Sequence, residues 1–257
     1  MLVDHDRYAY DDPAVAAHHR EELRETGVSI LPGFLRADAI PALVAECDEL
    51  AAGAYHQDVQ GTPYLELPEA ADWPDGHPRV TWARSSVHTV AYDRFDPRTS
   101  ALRALFEDDA LLGFVADLLG RSPLHRYADP LGAMNLAVMV EDDELGWHFD
   151  QTDFVVSIAI QSSDEGGEFE SVQLIRGADD EAYDDVAAVL AGEAGDRVST
   201  TPMTPGTLML FEGRHSLHRV TPIHGATPRY VALFGYDTKP GTMSSELLKL
   251  VRYGRAN

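Results

Sequence analysis

Ala133-Met134-Asn135-Leu136-Ala137-Val138-Met139-Val140, Glu141-Asp142-Asp143-Glu144, Leu145-Gly146-Trp147-His148-Phe149-Asp150 and, three residues on, Phe154-Val155-Val156-Ser157-Ile158-Ala159-Ile160-Gln161 form the stretch on which the fold turns. The first segment is an unbroken apolar run and reads as a buried strand. The four acidic residues after it make a turn. In the last segment Phe154, Val156, Ile158 and Ile160 alternate with Val155, Ser157, Ala159 and Gln161, as a strand requires. His148-Phe149-Asp150 sits between the two. Residues i and i+2 of a strand point the same way, so this histidine and this carboxylate can reach one metal ion where a strand ends.

Further out, Gly166-Gly167 marks a tight turn before a strand at Glu168–Val172. Thr204-Pro205-Gly206 is a second turn, followed by the apolar strand Thr207–Phe211. Ser216-Leu217-His218-Arg219-Val220-Thr221-Pro222-Ile223 comes next, then Gly225, Arg229 and the strand Tyr230–Phe234. His218 lies seventy positions after His148 (218 − 148 = 70) and can bring a second imidazole from a strand that folds back alongside. Two imidazoles and one carboxylate cover one face of an octahedral ion and leave the other open, the donor set of non-haem Fe(II) oxygenases. His215, in the turn Glu212-Gly213-Arg214 and its sequel, is the competing imidazole. Arg229, at the start of a neighbouring strand, can clamp a dicarboxylate through two charge-assisted hydrogen bonds. A second HxD, His56-Gln57-Asp58, lacks a flanking strand pattern and a partner motif, and reads as a surface loop.

The succession of strand, turn, LxxHxD, strand, GGE, strand, PGTLMLF, SLHRVTP, Gly and Arg resembles the Fe(II)/2-oxoglutarate-dependent dioxygenases, in the branch near the prolyl hydroxylases. More closely, WHFD…DF…GGEFE…IR…HRVTP…PR is similar to the small bacterial enzymes that hydroxylate or halogenate free amino acids. The resemblance covers roughly residues 130–237. It implies an α+β fold, with a double-stranded β-helix (jelly-roll, cupin-like) core and supporting N-terminal helices. It also implies that His148, Asp150 and His218 bind Fe(II) as the catalytic centre. Arg229 would hold the distal carboxylate of 2-oxoglutarate, with Arg219 the less favoured substitute. Asn135, polar within an apolar strand, must hydrogen-bond something: it either lines the same co-substrate site or satisfies a neighbouring strand.

Asp150 bears on the reaction. The halogenating relatives place Gly or Ala at this position, which frees an iron site for chloride. A carboxylate there implies hydroxylation, with O₂ as oxidant and 2-oxoglutarate converted to succinate and CO₂. Desaturation and ring closure start from the same substrate radical. The implied substrate is a small molecule, a free or modified amino acid. Arg84 is the candidate for its carboxylate and Asp129, in Tyr127-Ala128-Asp129-Pro130, for its ammonium. Gln151 stands where lysine-specific relatives carry an acid, and Trp147 is a candidate wall. A non-oxidative cupin-type metal enzyme and a non-catalytic binding protein are the rival classes.

Composition agrees with an enzyme acting on small molecules. The chain has 257 residues and 44% hydrophobic content, which suits one domain with a sizeable core. The expected layout is helical support, a lid and first strands over 1–125, the β-helix core over 126–240 and a C-terminal helix over 241–257. A formal charge of −23 argues against a nucleic-acid partner, whose phosphates need cationic neutralisation. No run of 18 apolar residues occurs, and Met1–Asp6 lacks a basic and apolar leader, so neither a membrane span nor a signal peptide is expected. A single cysteine, Cys47, excludes an internal disulfide and suits a reducing cytoplasm.

The N-terminal third reads as follows. Asp12-Pro13 opens a helix that Gly27 stops, and Val28–Leu31 is a short strand. Ala37–Ala52 has helical apolar spacing, and residues 55–79, with four prolines, form a loop that can serve as a lid. A strand is expected over Val80–Val90 and one helix over Ser100–Leu119. An inserted helix over Asp179–Arg197 and a short amphipathic helix at Ser244–Val251 complete the layout.

Overall fold

The computed structural model describes residues 2–65 and 73–257; Pro68, within the expected lid, lies outside these. In chain order the main elements are α1 (Pro13–Thr26), β1 (Val28–Leu31), α2 (Ile40–Ala51), β2 (Tyr55–Gly61), β3 (Ala83–Ala91), α3 (Ala101–Glu107) and α4 (Asp109–Leu119). There follow β4 (Met134–Met139), β5 (Glu144–His148), β6 (Val155–Gln161), β7 (Phe169–Val172) and α5 (Tyr183–Leu190). The chain closes with β8 (Ser199–Thr201), β9 (Leu208–Phe211), β10 (Leu217–Val220), β11 (Arg229–Phe234) and α6 (Glu246–Tyr253).

The strands form one antiparallel sheet in the order β1-β9-β6-β11-β4-β3-β5-β10-β7-β8, with β2 added to β3. The sheet curls at β3. Its residues 88–91 pair with β4 and its residues 85–86 pair with β5, so one strand joins a large half-sheet to a smaller one. The result is the half-barrel of a double-stranded β-helix.

Alternation along the strands sorts the apolar side chains into three layers. Leu136, Val138, Val156, Ile158, Leu208, Leu210, Ala232 and Phe234 leave the large half-sheet outward and pack with Leu43, Leu102, Phe106, Phe114 and Leu118 from the helices. Val87, Met139, Phe169, Met209, Phe211 and Val220 fill the barrel interior. Val172 and Leu217 face outward from the small half-sheet, where Val186 and Val189 of α5 cover them together with Phe149 and Tyr64. The insert expected over 179–197 is therefore a helix that shields the second face of the barrel.

Local chemistry sets the helix ends. Asp12 accepts from the Ala14 amide, Pro13 opens α1, and Gly27 closes it in the left-handed region, as sequence signals require. The single helix expected over Ser100–Leu119 is two. Asp108 adopts an extended conformation and its side chain accepts from the Ala110 amide, so it ends α3 and caps α4.

The segment 55–79 also departs from expectation. Its first part is the strand β2, paired along its length with β3 from Tyr55↔Thr89 to Gly61↔Ala83. His56-Gln57-Asp58 thus lies in a strand, not a loop. Both faces of β2 are largely exposed, so no alternation marks it; the ladder to β3 makes it a strand.

Candidate metal centre

His148 is the last residue of β5 and His218 lies in β10, and the two are direct partners across the strands. The register slips between His218 and Val220, since Val220 faces Leu145. Three steps along β5 therefore match two along β10. This bulge turns both Leu145 and His148 inward, a device that commonly re-aims side chains beside active sites. Phe149 points outward into the cluster with Tyr64 and Leu217. Asp150 turns inward again, its amide bonded to the Gly213 carbonyl at 3.0 Å.

The donor atoms converge. Asp150 Oδ2 lies 3.4 Å from His218 Nε2 and Asp150 Oδ1 4.0 Å from His148 Nε2. One atom from each residue falls within 4.8 Å of the others. Each imidazole is fixed the same way. His148 Nδ1 donates to the Gly146 carbonyl at 2.7 Å and His218 Nδ1 to the Ser216 carbonyl at 2.9 Å. With the protons on Nδ1, the Nε2 lone pairs face the shared space, the tautomer a metal ligand needs. Burial and the neighbouring His218 push His148 down to about 4, against the pull of Asp150, so this ring is neutral at pH 7. Phe211 and Phe169 flank His218, with ring centroids 4.8 and 5.5 Å away. His215 takes part in no cluster of metal donors among the described residues.

Arg229 opens β11 opposite Met139. Its guanidinium is buried, and its only hydrogen-bonding contact among the described residues is the Met139 sulfur at 3.8 Å. Burial lowers it to about 10, so it stays charged at neutral pH, with no carboxylate among the described residues to balance it. A buried unpaired cation is costly, and an anionic ligand would relieve it. The side chain lines a cleft with Ser163, Gly167, Phe169, Thr201 and Met203. Phe169 belongs both to this cleft and to the wall beside His218. Asn135 lies on β4 two and four residues from the interior-facing Ala137 and Met139, and is 9% exposed.

The substrate candidates fare differently. Arg84 leaves β3 on the outer face, opposite to Ser85 and Val87. It pairs with Asp58 at 2.9 Å and with Glu144 at 3.6 Å, and donates to the Asp142 carbonyl. Expected as a substrate contact, Arg84 in the structure ties the β2–β3 hairpin to the turn before β5. Asp129, the other charged candidate, is held within the fold. Its carboxylate accepts from the amides of Leu131, Gly132 and Ser244 and lies 3.4 Å from the buried Lys249 ammonium, and the residue is only 1% exposed. Trp147 faces outward beneath the Arg219 guanidinium, 4.8 Å from its ring centre, so it packs the outer layer. Arg219 itself pairs with Glu170 on that outer face. Gln151 is exposed just past Asp150.

Several interior residues went unread in the sequence. The hydroxyls of Ser157 and Ser171 are buried without a partner among the described residues, and Ser171 is the strand neighbour of His218. A serine in an apolar strand was the available signal. The structure also gathers His56, His88 and Asp143, where the sequence offered His56 no partner. Their two rings stack at 4.2 Å and 14°. A metal must lie in the plane of each imidazole it binds, which parallel stacked rings do not allow; the His148 and His218 rings are inclined at 51°. Asp143 instead accepts from Ser86, His88 and the Val140 amide and holds the turn.

The sequence model of the family described as Halogenase D matches residues 11–247. No curated protein matches the chain in sequence. Among solved structures, AviO1 from Streptomyces viridochromogenes Tue57 is 18% identical, with a TM-score of 0.58 over 90% of this chain and 97% of that one. The non-heme alpha ketoglutarate dependent epimerase SnoN from nogalamycin biosynthesis is 17% identical, with a TM-score of 0.57 over 88% and 84%. EctD from S. alaskensis, solved with 2-oxoglutarate and 5-hydroxyectoine, is 19% identical, with a TM-score of 0.55 over 88% and 77%. These likenesses establish the fold.

Proposed function

The chain belongs to the halogenase D family, and from that premise we propose that it is an Fe(II)- and 2-oxoglutarate-dependent oxygenase that hydroxylates an unactivated C–H bond of a small molecule, a free or modified amino acid. The observation that carries the reading is the meeting of His148 Nε2, His218 Nε2 and the Asp150 carboxylate in a barrel that also holds a buried, unbalanced guanidinium at Arg229. The donor set fits Fe(II): two imidazoles whose Nε2 atoms face the shared space and one carboxylate. When bound, the iron supplies oxygen activation coupled to conversion of 2-oxoglutarate to succinate and CO₂.

The chain's residues supply the rest. His148 and His218 keep their protons on Nδ1 through backbone carbonyls, so their metal-facing nitrogens need no reorganisation. Arg229 would bind the distal carboxylate of 2-oxoglutarate, and that ion pair would form away from water, where it is strongest. Asn135, Ser157 and Ser171 are the interior polar groups free to orient co-substrate or substrate. Phe169 and Phe211 restrict water beside His218. Asp150 supports hydroxylation over halogenation, because its carboxylate fills the coordination position that a halide would need. The unbalanced Arg229 also disfavours a non-oxidative cupin-type enzyme and a binding protein without chemistry, neither of which requires a dicarboxylate clamp.

Proteins sharing the fold act on varied small molecules: EctD was solved with 5-hydroxyectoine and SnoN with nogalamycin RO. The amino-acid assignment here rests on the motif resemblance, and the net charge of −23 opposes nucleic acid. The test is an amino-acid panel incubated with protein, Fe(II), ascorbate and 2-oxoglutarate, with succinate and product masses followed together. Gain of one oxygen atom is expected. Loss of two hydrogens would redirect the reading to desaturation or ring closure, and absence of succinate with every substrate would sink it.

A further inference from the structure

We infer that Gly213 is the positioning residue for the Asp150 carboxylate, and that its missing side chain decides whether the metal centre has a third protein ligand. The inference rests on the reading of Asp150 as an iron ligand. A Cβ built on Gly213 would stand 2.7 Å from Cγ and 2.9 Å from Cβ of Asp150, and would overlap Oδ2 outright. Backbone conformation does not demand glycine here, since Gly213 is absent from the residues with positive φ. Space alone does. Gly166 is the contrast: it has φ +71°, and a Cβ there would strike the backbone carbonyl of Pro222, so substitution would disturb the chain path itself.

A second observation points the same way. The Asp150 carboxylate receives no N–H or O–H hydrogen bond from the described residues; its neighbours are the two imidazole nitrogens at 3.4 and 4.0 Å. Metal-binding carboxylates are ordinarily held by outer hydrogen bonds. Here the place of that bond is taken by confinement against Gly213. The Asp150 amide is anchored to the Gly213 carbonyl, so the two backbones cannot separate freely. Rotation of the Asp150 side chain relieves the contacts to Cγ and Oδ2 and carries its carboxylate away from both histidines, while a small backbone shift takes up the 2.9 Å contact to Asp150 Cβ. Gly213→Ala should then mimic Asp150→Gly with the aspartate still present.

The test is a double-mutant cycle on Fe(II) affinity, read anaerobically from the charge-transfer absorption of the Fe(II)·2-oxoglutarate complex and independent of turnover. Gly213→Ala is expected to weaken Fe(II) binding roughly 10- to 100-fold in the wild-type background. In the Asp150→Gly background the same change should alter affinity by no more than about twofold. Equal losses in both backgrounds, or no loss with Asp150 present, would overturn the inference. If Gly213→Ala does not fold, urea melts of the Gly213→Ala/Asp150→Gly protein decide: recovery supports a clash with the Asp150 side chain, and failure to recover removes it. A wild type that binds no Fe(II), or an Asp150→Gly protein that binds it undiminished, defeats the functional reading itself. A wild type that binds, weakened by Asp150→Gly yet untouched by Gly213→Ala, defeats only the role of Gly213.

Discussion

At Arg229 a full positive charge is withdrawn from water beside a thioether, and such charges cost several kcal/mol when unpaired. Replacement by leucine should leave the ligand-free protein as stable or more stable in thermal melts. The same variant should raise the KM for 2-oxoglutarate roughly a hundredfold, since losing one partner of a buried charge pair costs about 2–5 kcal/mol. Asp150→Gly should abolish hydroxylation and can admit chloride, which product mass would reveal in chloride buffer; undiminished hydroxylation would remove Asp150 from the ligand set. Arg84→Ala tests the outward placement of that residue. Its pair with Asp58 is partly exposed, so the loss should stay under about 1 kcal/mol with substrate KM unchanged, and a raised KM would restore it as a substrate contact. Strand alternation and turn residues bracket His148, His218 and Arg229, which is why their positions on strands could be read from the sequence. The partners of Arg84 and Asp129 were not legible, because sequence names a charge without naming what pairs with it.

Elements are held at points that spacing does not reveal. The C-terminal helix α6 docks through Asp129, whose carboxylate is pressed upward by burial but drawn further down by the amides of Leu131, Ser244 and Gly132. Its folded value lies below the unfolded one, so the stabilisation is complete above the ordinary carboxylate range, near pH 3.9, and is lost as pH falls through the depressed folded value. Asp129→Ala should cost about 3–5 kcal/mol, because it strands Lys249 and three amides. Hydrogen exchange should show α6 opening first, and protection equal to wild type would contradict the anchoring. Strand β2 teaches a related lesson. Its sequence has no apolar alternation and only Tyr55 and Val59 as strand formers, so the ladder to β3 defines it. The break at Asp108 was written in the chain as an N-cap, but a continuous apolar spacing on both sides masked it.

Across the whole molecule, ligand and fold should report on one another. A redox-inert divalent ion such as Mn(II), with 2-oxoglutarate at about 100 times its Kd, should stabilise the protein by about 2.7 kcal/mol. For a chain of this size that is roughly 5–10 °C in Tm, and Arg229→Leu or His218→Ala should cancel it; an equal shift in those variants would place the ligands elsewhere. No helix among the described residues is long and apolar enough to cross a membrane. The sequence by itself determined the strands of the motif-bearing stretch, because apolar period and turn chemistry are local and written residue by residue, and the resemblance of its motifs to a known family implied the β-helix class and the donor set. Only the tertiary structure decided which charges face inward, that a bulge in β5 aims His148, that α5 seals the small half-sheet, and that Gly213 leaves room for a carboxylate. Those depend on the register between strands far apart in the chain, where one residue of slip exchanges the inside for the outside.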